Sequence, residues 1–462
     1  DPQRGADVNA AIADAASVPE HMPRLIRFVS NQAKSTGRRA LDMYLEFRGA
    51  ALLSGARTFD ANVLGNVINS ILKPTTQIIG GGSPAMIKSG LGMYWQMGAS
   101  MFDFISLAGT DTPSSVTMAG RSFMQNKPLI DAVSEARPAA IPAWLGGGLV
   151  RLPFRGLQGA DEFFKQINYR AAVRQRTIDQ MNSLPDDVLA KMTTQQRKQA
   201  VVEAVKNAVG TEGQAVLDAE GNLKFPKEMQ YAREAAYQQD PGPWTEAVLK
   251  MADSIPLLRI PLPFIRVPAN ILGTTWNHTP GLNLLREQYA ARLRSQDPYV
   301  RAEARGEMIT GGIVVAAGAM LAAMGKTTGG GPIDPKRRKA LTDTGWQPYS
   351  FVTENPDGTK SYTSYMRLEP FGPLLGLTAD FADIAGNLTT EDSDRIADAA
   401  VVSVARNVTD KTYLKGMADV LKFLDPNQPA FMPRFVASHI PAAVGSTNAA
   451  WDDAVREPRT IM

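Results

Sequence analysis

The chain has 462 residues, of which 44% are hydrophobic and 21% are charged, which is the usage of a globular protein rather than a disordered or fibrous one. Its formal net charge of +3 gives no general case for binding nucleic acid or an anionic membrane. Since it has no cysteine, disulfides, thiolate metal sites and cysteine nucleophiles are excluded.

The 39 glycines and 31 prolines are spread along the chain and predict many interrupted helices. We expect a mainly α protein, an elongated multi-helix domain with many Gly and Pro breaks and one or two small β-hairpins. The chain begins at Asp1 without a signal peptide, and we expect it to be a fragment of a longer polypeptide. Four regions are predicted, namely N-terminal helices at 1–137, central helices at 138–254, a Pro-rich apolar strip and an apolar helix at 255–348, and a hairpin with C-terminal helices at 349–462.

The N-terminal region has apolar residues at helical spacing with basic residues between them. These charges predict a solvated face, with contact to nucleic acid or lipid headgroups as the alternative. An apolar stretch at 63–72 is predicted to end at Lys73-Pro74, because proline breaks a helix. Residues 91–108 are rich in Met, Trp and Phe and are predicted to fill a core or helix interface (Met93, Trp95, Met97, Met101, Phe102 and Phe104).

The central region contains the clearest soluble helices. In residues 160–181 we expect Asp161 and Glu162 in the first turn, where the helix dipole favours carboxylates. The helix over 193–210 is predicted to end at Gly210 as a C-terminal cap. A short hairpin is predicted at 214–225.

Residues 254–272 combine four prolines with large apolar residues, so they cannot form a regular helix and must be buried against something. Core lining is the simpler interpretation. The alternative is a strip that docks a partner, and its candidate residues are Leu257, Leu258, Ile260, Phe264 and Ile265.

Residues 308–325 form a run of eighteen residues without a formal charge, long enough to cross a bilayer as a helix and flanked by basic residues. Its glycines and alanines make it weakly hydrophobic. It is interpreted as a buried helix of a large helical protein, with context-dependent membrane insertion and permanent spanning as alternatives. The candidate residues for helix packing or membrane contact are Gly312, Val314, Ala316, Ala319, Leu321 and Ala323.

Pro356-Asp357-Gly358 lies between two stretches rich in Tyr, Thr and Val and is the strongest hairpin signal in the chain, so we predict strands within 349–366. The residues after Pro370 are predicted to be helical.

The search for chemistry finds no motif. The three histidines, His21, His278 and His439, lie far apart, and no pair has the spacing of a helical zinc site. We therefore expect no catalytic, cofactor-binding or metal-binding residues and no enzyme activity in this chain.

Five strings of the sequence carry a resemblance to a known family. The most specific are GGGPIDPKRRKALTDTGWQPYS at 329–350 and SYMRLEPFGPLLGLTADFADI at 364–384. The others are LLSGARTFDANVLGNVINSILKP at 52–74, GADEFFKQINYR at 159–170 and PFIRVPANIL at 263–272. These strings resemble a region of very large internal virion proteins, also called ejection or large polyvalent proteins, of short-tailed bacteriophages and related prophages. The resemblance covers roughly residues 20–462.

The resemblance implies a structural segment that is packed in the virion interior, is released with the genome and helps form an oligomeric conduit for DNA across the host periplasm and inner membrane. It implies homo-oligomers as well as contacts with other ejection, core, portal or tail proteins, and transient contacts with phage DNA and the host inner membrane.

Two alternatives stand beside this interpretation. One is an effector or cargo region delivered with the DNA, which would not form rings. The other is an unrecognised enzyme, which would need a deep polar pocket where titratable groups converge.

Overall fold

The computed structural model describes residues 36–131, 140–254, 264–332 and 334–385. Helices dominate these residues, and the sheet they contain is a single two-stranded hairpin, which confirms the predicted mainly α class. The chain divides into two compact units, one formed by 1–58, 136–154 and 432–462 and the other by 59–135 and 155–431.

The helices are described in chain order. They are α1 (Thr36–Leu53), α2 (Ala56–Gly80), α3 (Pro84–Met101), α4 (Asp103–Ser106), α5 (Ser115–Gln125), α6 (Gly147–Val150), α7 (Leu152–Asn182), α8 (Asp186–Lys191), α9 (Thr194–Val209), α10 (Pro226–Ala235), α11 (Pro243–Ser254), α12 (Arg266–Asn277), α13 (Glu287–Leu293), α14 (Pro298–Ala323), α15 (Pro335–Asp343) and α16 (Gly372–Ala385). Short 3-10 turns occur at Ala143–Leu145 and Leu282–Leu285. The strands are β1 (Ser350–Glu354) and β2 (Lys360–Ser364).

In the described part of the first unit, a buried carboxylate joins α1 to residues 140–151. Glu46 accepts hydrogen bonds from the backbone N–H groups of Ala140 and Ile141, at 2.7 and 2.6 Å, and from Arg151 Nε at 2.6 Å. These bonds satisfy a charge that would otherwise be costly to bury.

The second unit is built around α7, a 31-residue helix buried on most sides in its middle section. Its buried side chains are largely polar or charged, and they find partners on other elements. Arg170 Nη1 lies 2.5 Å from Asp103 Oδ2, and Lys165 Nζ lies 2.8 Å from Asp131 Oδ1. Buried charges of this kind are tolerated only when they are paired.

The predicted start of this helix is wrong. Because α7 begins at Leu152, Asp161 and Glu162 lie in mid-helix and are buried rather than in a first turn. Glu162 instead accepts the backbone N–H groups of Leu129 and Ile130, both at 2.9 Å. Two glycines and Pro153 before Ala160 obscured the first two turns, although proline is well tolerated at a helix start.

A hydrophobic cluster joins α7, α9 and α10. It contains Ile130, Tyr169, Val173, Val205, Ala208, Val209, Met229 and Ala232. Gly210 ends α9 with a φ of +56°, as its sequence predicts. The predicted hairpin at 214–225 is reduced to one bridge between Leu217 and Leu223, because Asp218 closes the turn with its own side chain.

The predicted end of α2 at Lys73-Pro74 is also wrong, because the helix continues to Gly80. Proline leaves carbonyl groups in the preceding turn without their usual donors. Here the Thr75 hydroxyl donates to the Ile71 carbonyl at 2.7 Å, and the Tyr94 hydroxyl donates to the same oxygen at 3.1 Å. These side chains support the helix through the proline.

The hairpin predicted within 349–366 is confirmed. Strands β1 and β2 pair antiparallel, from Ser350 opposite Ser364 to Glu354 opposite Lys360, and Gly358 turns the chain with a φ of +79°. Phe351 also forms a bridge with Thr327, which follows α14. Behind the hairpin, a second cluster of Tyr349, Tyr365 and Leu375 packs against Val314 of α14.

Candidate functional site: exposed apolar helices and a polar cavity

Helix α14 carries the apolar run. It begins at a cap in which Asp297 accepts the backbone N–H of Tyr299, with Pro298 at the first helical position. Its 26 residues extend about 39 Å, at 1.5 Å per residue. Among the described residues it is the one helix long and apolar enough to cross a membrane, with a mean hydropathy of 1.6 over its most apolar window.

Length and composition alone do not separate a membrane helix from the core helix of a soluble protein. A core helix is mostly buried, whereas only 28% of the apolar window of α14 is buried. The run at 308–325 is therefore not enclosed by the described residues of this chain, contrary to the simplest interpretation of its sequence.

Two glycines allow the backbone of α14 to contact the backbones of neighbouring segments directly. A Cβ on Gly306 would overlap the carbonyl oxygen of Thr76 on α2, and one on Gly311 would overlap the carbonyl oxygen of His278 after α12. Because the backbones touch, no other residue fits at either position without moving a helix.

The C-terminal half of α14 contacts α16 along one side only. A Cβ on Gly318 would lie 2.5 Å from Thr378 Oγ1 and 3.1 Å from Leu375 Cδ2. Of the predicted packing or membrane residues, Gly312, Val314 and Leu321 are half-buried, and Val314 lies on the packed side against Tyr365 and Leu375. Ala316, Ala319 and Ala323 are exposed. The close contacts are made by Gly306, Gly311 and Gly318. Because the run contains many glycines and alanines, its sequence does not show which of them lie at a helix contact.

Large apolar side chains also project from the uncovered side of α14. Ile313 is 57% exposed, and Ile309, Met320 and Met324 are exposed as well. Basic side chains follow on α15, where Lys336, Arg337 and Lys339 are exposed. An apolar surface next to basic residues suits contact with anionic lipid headgroups.

Helix α3 exposes several large apolar side chains and buries several polar ones. The side chains that it buries against the rest of the second unit include Ser89, Gln96 and Ser100, whereas Trp95 is 78% exposed. Spacing places the large exposed residues on one face of the helix (Ile87, Leu91, Trp95 and Phe102). The predicted core filling is therefore wrong for Trp95, Met101, Phe102 and Phe104 and right for Met93, which is buried.

The second unit buries ion pairs on α7 beside its hydrophobic clusters and exposes large apolar residues on α3 and α14, which is unusual for a soluble monomer. Contiguous exposed apolar faces mark sites of contact with proteins or membranes. We therefore treat the exposed faces of α3 and α14 as candidate interaction surfaces.

A cavity of about 1280 Å³ is lined by residues of α2, α3, α7, α10, α11, α12, α13 and α14. Lys73 of α2 spans it, since its Nζ pairs with Glu234 of α10 and lies 2.5 Å from Glu303 Oε1 of α14. Arg292 of α13 donates two hydrogen bonds to Glu307, at 2.8 and 3.1 Å. The N-terminal half of α14 thus forms ion pairs with α2 and α13, and Lys73 extends this network to α10.

Burial and neighbouring charges act in opposite directions on these carboxyls. Burial raises the pKa of Glu307, and the Arg292 guanidinium offsets this only in part. Burial also acts to raise the pKa of Glu303, but the charges of Lys73 and Arg292 outweigh it and the pKa is lowered. Glu303 therefore carries the negative charge more readily than Glu307.

His278 lies at the same cavity and is held neutral. Burial lowers its pKa to about 4, although a hydrogen bond to Thr274 acts in the opposite direction. Its Nδ1 lies 2.8 Å from the Thr274 carbonyl oxygen, so the proton belongs on Nδ1. Its buried Nε2 has no hydrogen-bond partner among the described residues.

The charged residues of this cavity were not predicted from the sequence. The one local pattern that indicates them is the pair Glu303 and Glu307, which are spaced to share a helix face just before the apolar run. Lys73 lies 230 positions from Glu303, and a single sequence holds no information about that pairing.

Of the candidate docking strip, Leu257, Leu258 and Ile260 lie outside the described residues, as do His21 and His439. Phe264 is half-buried and Ile265 is buried just before α12. Within the described ranges, no group of three or more His, Asp or Glu residues is arranged to hold a metal ion.

Comparison with models of known protein families, with curated proteins and with solved structures finds no match to this chain.

Proposed function

We propose that this chain is a structural segment of an internal virion protein of a short-tailed bacteriophage. It is released with the genome and helps form an oligomeric conduit for DNA across the host periplasm and inner membrane. The observation that carries the interaction role is the mostly uncovered apolar half of α14. The phage assignment rests on the resemblance of residues 329–350 and 364–384 to such proteins.

The residues that carry the resemblance also support α14. The backbone N–H of Gly330 donates to Asp380 Oδ1 at 2.6 Å, and the Tyr365 hydroxyl donates to the Thr328 carbonyl at 2.6 Å. Tyr365 and Leu375 pack against Val314 on one side of α14. This contact leaves the other side of α14 available for a partner.

In this proposal the buried ion pairs keep the second unit folded while its exposed apolar faces exchange one contact, such as another protein, for another, such as lipid. The faces of α3 and α14 pack against other copies of the chain, against ejection, core, portal or tail proteins, or against lipid. The protein lies in the virion interior before infection and in the host cell envelope afterwards, with transient contact to phage DNA.

The proposal is tested by electron microscopy and chemical cross-linking of the purified chain with vesicles that contain anionic lipid. Rings or tubes and cross-linked homomultimers are expected. Trp95→Asp on α3 should reduce multimer formation, and Val188→Asp, at an exposed apolar position on α8, is the matched control. A chain that stays monomeric with and without vesicles would contradict the conduit and favour a delivered cargo.

An unrecognised enzyme is the second candidate, and the cavity is the observation that favours it, because titratable groups with shifted pKa values meet there. Against it, Lys73 and Arg292 are each held in ion pairs with glutamates, which is typical of a structural network. Substrate turnover that is lost in Glu303→Gln while the fold is retained would establish the enzyme.

A further inference from the structure

The polar cavity in the second unit has an excess of negative charge. Carboxylates outnumber lysine and arginine side chains among its lining residues, and its central basic groups, Lys73 and Arg292, are each shared between two glutamates. A ligand that enters this cavity gains most if it brings positive charge.

Buried hydrogen-bond acceptors without a partner also line the cavity. His278 is 2% exposed and Glu228 is 8% exposed, and both line the cavity. His278 Nε2 and Glu228 Oε2 are buried atoms without a partner in the described part of the chain. A buried acceptor that has lost water and gained no donor is costly, so both atoms favour a ligand that donates hydrogen bonds.

We propose that this cavity binds a small organic cation that carries a primary ammonium group. An ammonium has three N–H donors and no acceptor, so it suits an unpaired acceptor such as His278 Nε2 or Glu228 Oε2 and the excess of carboxylates. Leu72 and Met93 in the lining offer apolar contacts to the alkyl chain of such a cation. The group could be delivered by a free diamine or by a lysine side chain of a partner.

Protonation of the cavity supports this assignment. Glu307 has a raised pKa and faces Arg292 from α13, Glu303 from its own helix and, at longer range, Lys73 from α2. A bound cation stabilises ionised Glu307, so binding should release a proton. Affinity for the cation is therefore expected to increase as the pH rises.

The test is isothermal titration calorimetry of the full chain with 1,5-diaminopentane. Tetramethylammonium, which has the same kind of charge but no N–H donor, is the ligand control, and Nα-acetyl-lysine amide separates a free amine from a lysine side chain. Glu228→Gln should weaken diamine binding roughly tenfold. Glu212→Gln, at an exposed position outside the cavity, should leave it unchanged.

A second readout does not depend on variant folding. The ¹⁵N resonance of His278 Nε2 should shift when that atom accepts a hydrogen bond from the diamine, and a chain with three histidines is easily assigned. Absence of heat and of this shift at saturating diamine would overturn the proposal, as would equal binding of tetramethylammonium. Neither readout depends on ring formation, so this test of cation binding is independent of the proposed conduit.

Discussion

Gly306 of α14 touches the backbone of Thr76 on α2 so closely that a Cβ at the glycine would overlap the threonine carbonyl oxygen. Gly80 makes the reciprocal contact, since a Cβ there would overlap the backbone of Ala302. The two helices meet backbone to backbone, and this contact fixes the polar end of α14 while its apolar end stays uncovered.

Gly306→Ala should therefore destabilise the chain by about 1–3 kcal/mol or more, because the methyl group has no space and the helices must separate. Urea unfolding followed by circular dichroism measures this. The control is Gly98→Ala in α3, where a Cβ would meet no atom within 4 Å. It should stabilise the chain by roughly 0.5–1 kcal/mol, because alanine favours a helix. Equal effects at both positions would contradict the close contact.

Arg170→Met should cost about 3–5 kcal/mol of unfolding free energy, because it leaves Asp103 buried without its charged partner. Both side chains are fully buried in this pair. Lys191→Met, which removes the exposed partner of Asp187, should change stability by about 0–1 kcal/mol. If the buried pair is coupled, adding Asp103→Leu to Arg170→Met should restore part of the loss, and a purely additive double variant would refute the coupling.

Local signals explain what the sequence predicted correctly. The turn at 356–358 and the cap at Gly210 depend on residues within a few positions, and both occur as predicted. The interior of α7 depends on Asp103 and Asp131, which lie 67 and 34 positions from their partners. Charged residues on a helical pattern normally indicate solvent, so the sequence gives no sign that these side chains are buried.

On α3 the opposite occurs, because apolar residues that suggest burial are exposed. A run rich in Met, Trp and Phe predicts burial, and the sequence alone cannot say whether the covering surface belongs to this chain. Trp95 is exposed, so the described residues of this chain do not cover that part of α3. The cavity was unpredictable for the same reason as the ion pairs, because its lining residues come from eight separate helices.

His278 should make the chain sensitive to acid. Its pKa falls from 6.5 in the unfolded chain to about 4 in the fold, so the native state binds fewer protons between these values. The stability that this group contributes is complete above pH 6.5 and is lost as the pH falls towards 4. A shift of this size corresponds to roughly 3 kcal/mol.

The measurement compares urea unfolding of the natural chain and His278→Asn at pH 7 and pH 4. Asparagine keeps a donor for the Thr274 carbonyl but does not titrate. The difference in unfolding free energy between the two proteins should shrink or change sign at pH 4. An unchanged difference would show that His278 does not titrate in this range.

The last prediction concerns the apolar run and depends on which side of α14 is changed. Ile313 is exposed, so Ile313→Asp should leave stability nearly unchanged in the isolated chain. Val314 packs against the cluster of Tyr349, Tyr365 and Leu375, so Val314→Asp buries an unpaired carboxylate and should cost stability first. The two neighbours thus separate folding from function.

In a membrane or an apolar interface, a mid-helix aspartate costs about 2.5–3.5 kcal/mol on insertion scales. Ile313→Asp should therefore abolish vesicle binding and homomultimer formation, and in virions it should allow incorporation but block DNA delivery. Val188→Asp on α8, also exposed and apolar in the natural chain, is the control. If Ile313→Asp binds vesicles and assembles like this control, the uncovered face of α14 has no part in the interaction. If it fails to fold while Val188→Asp folds, the face is covered within the chain itself.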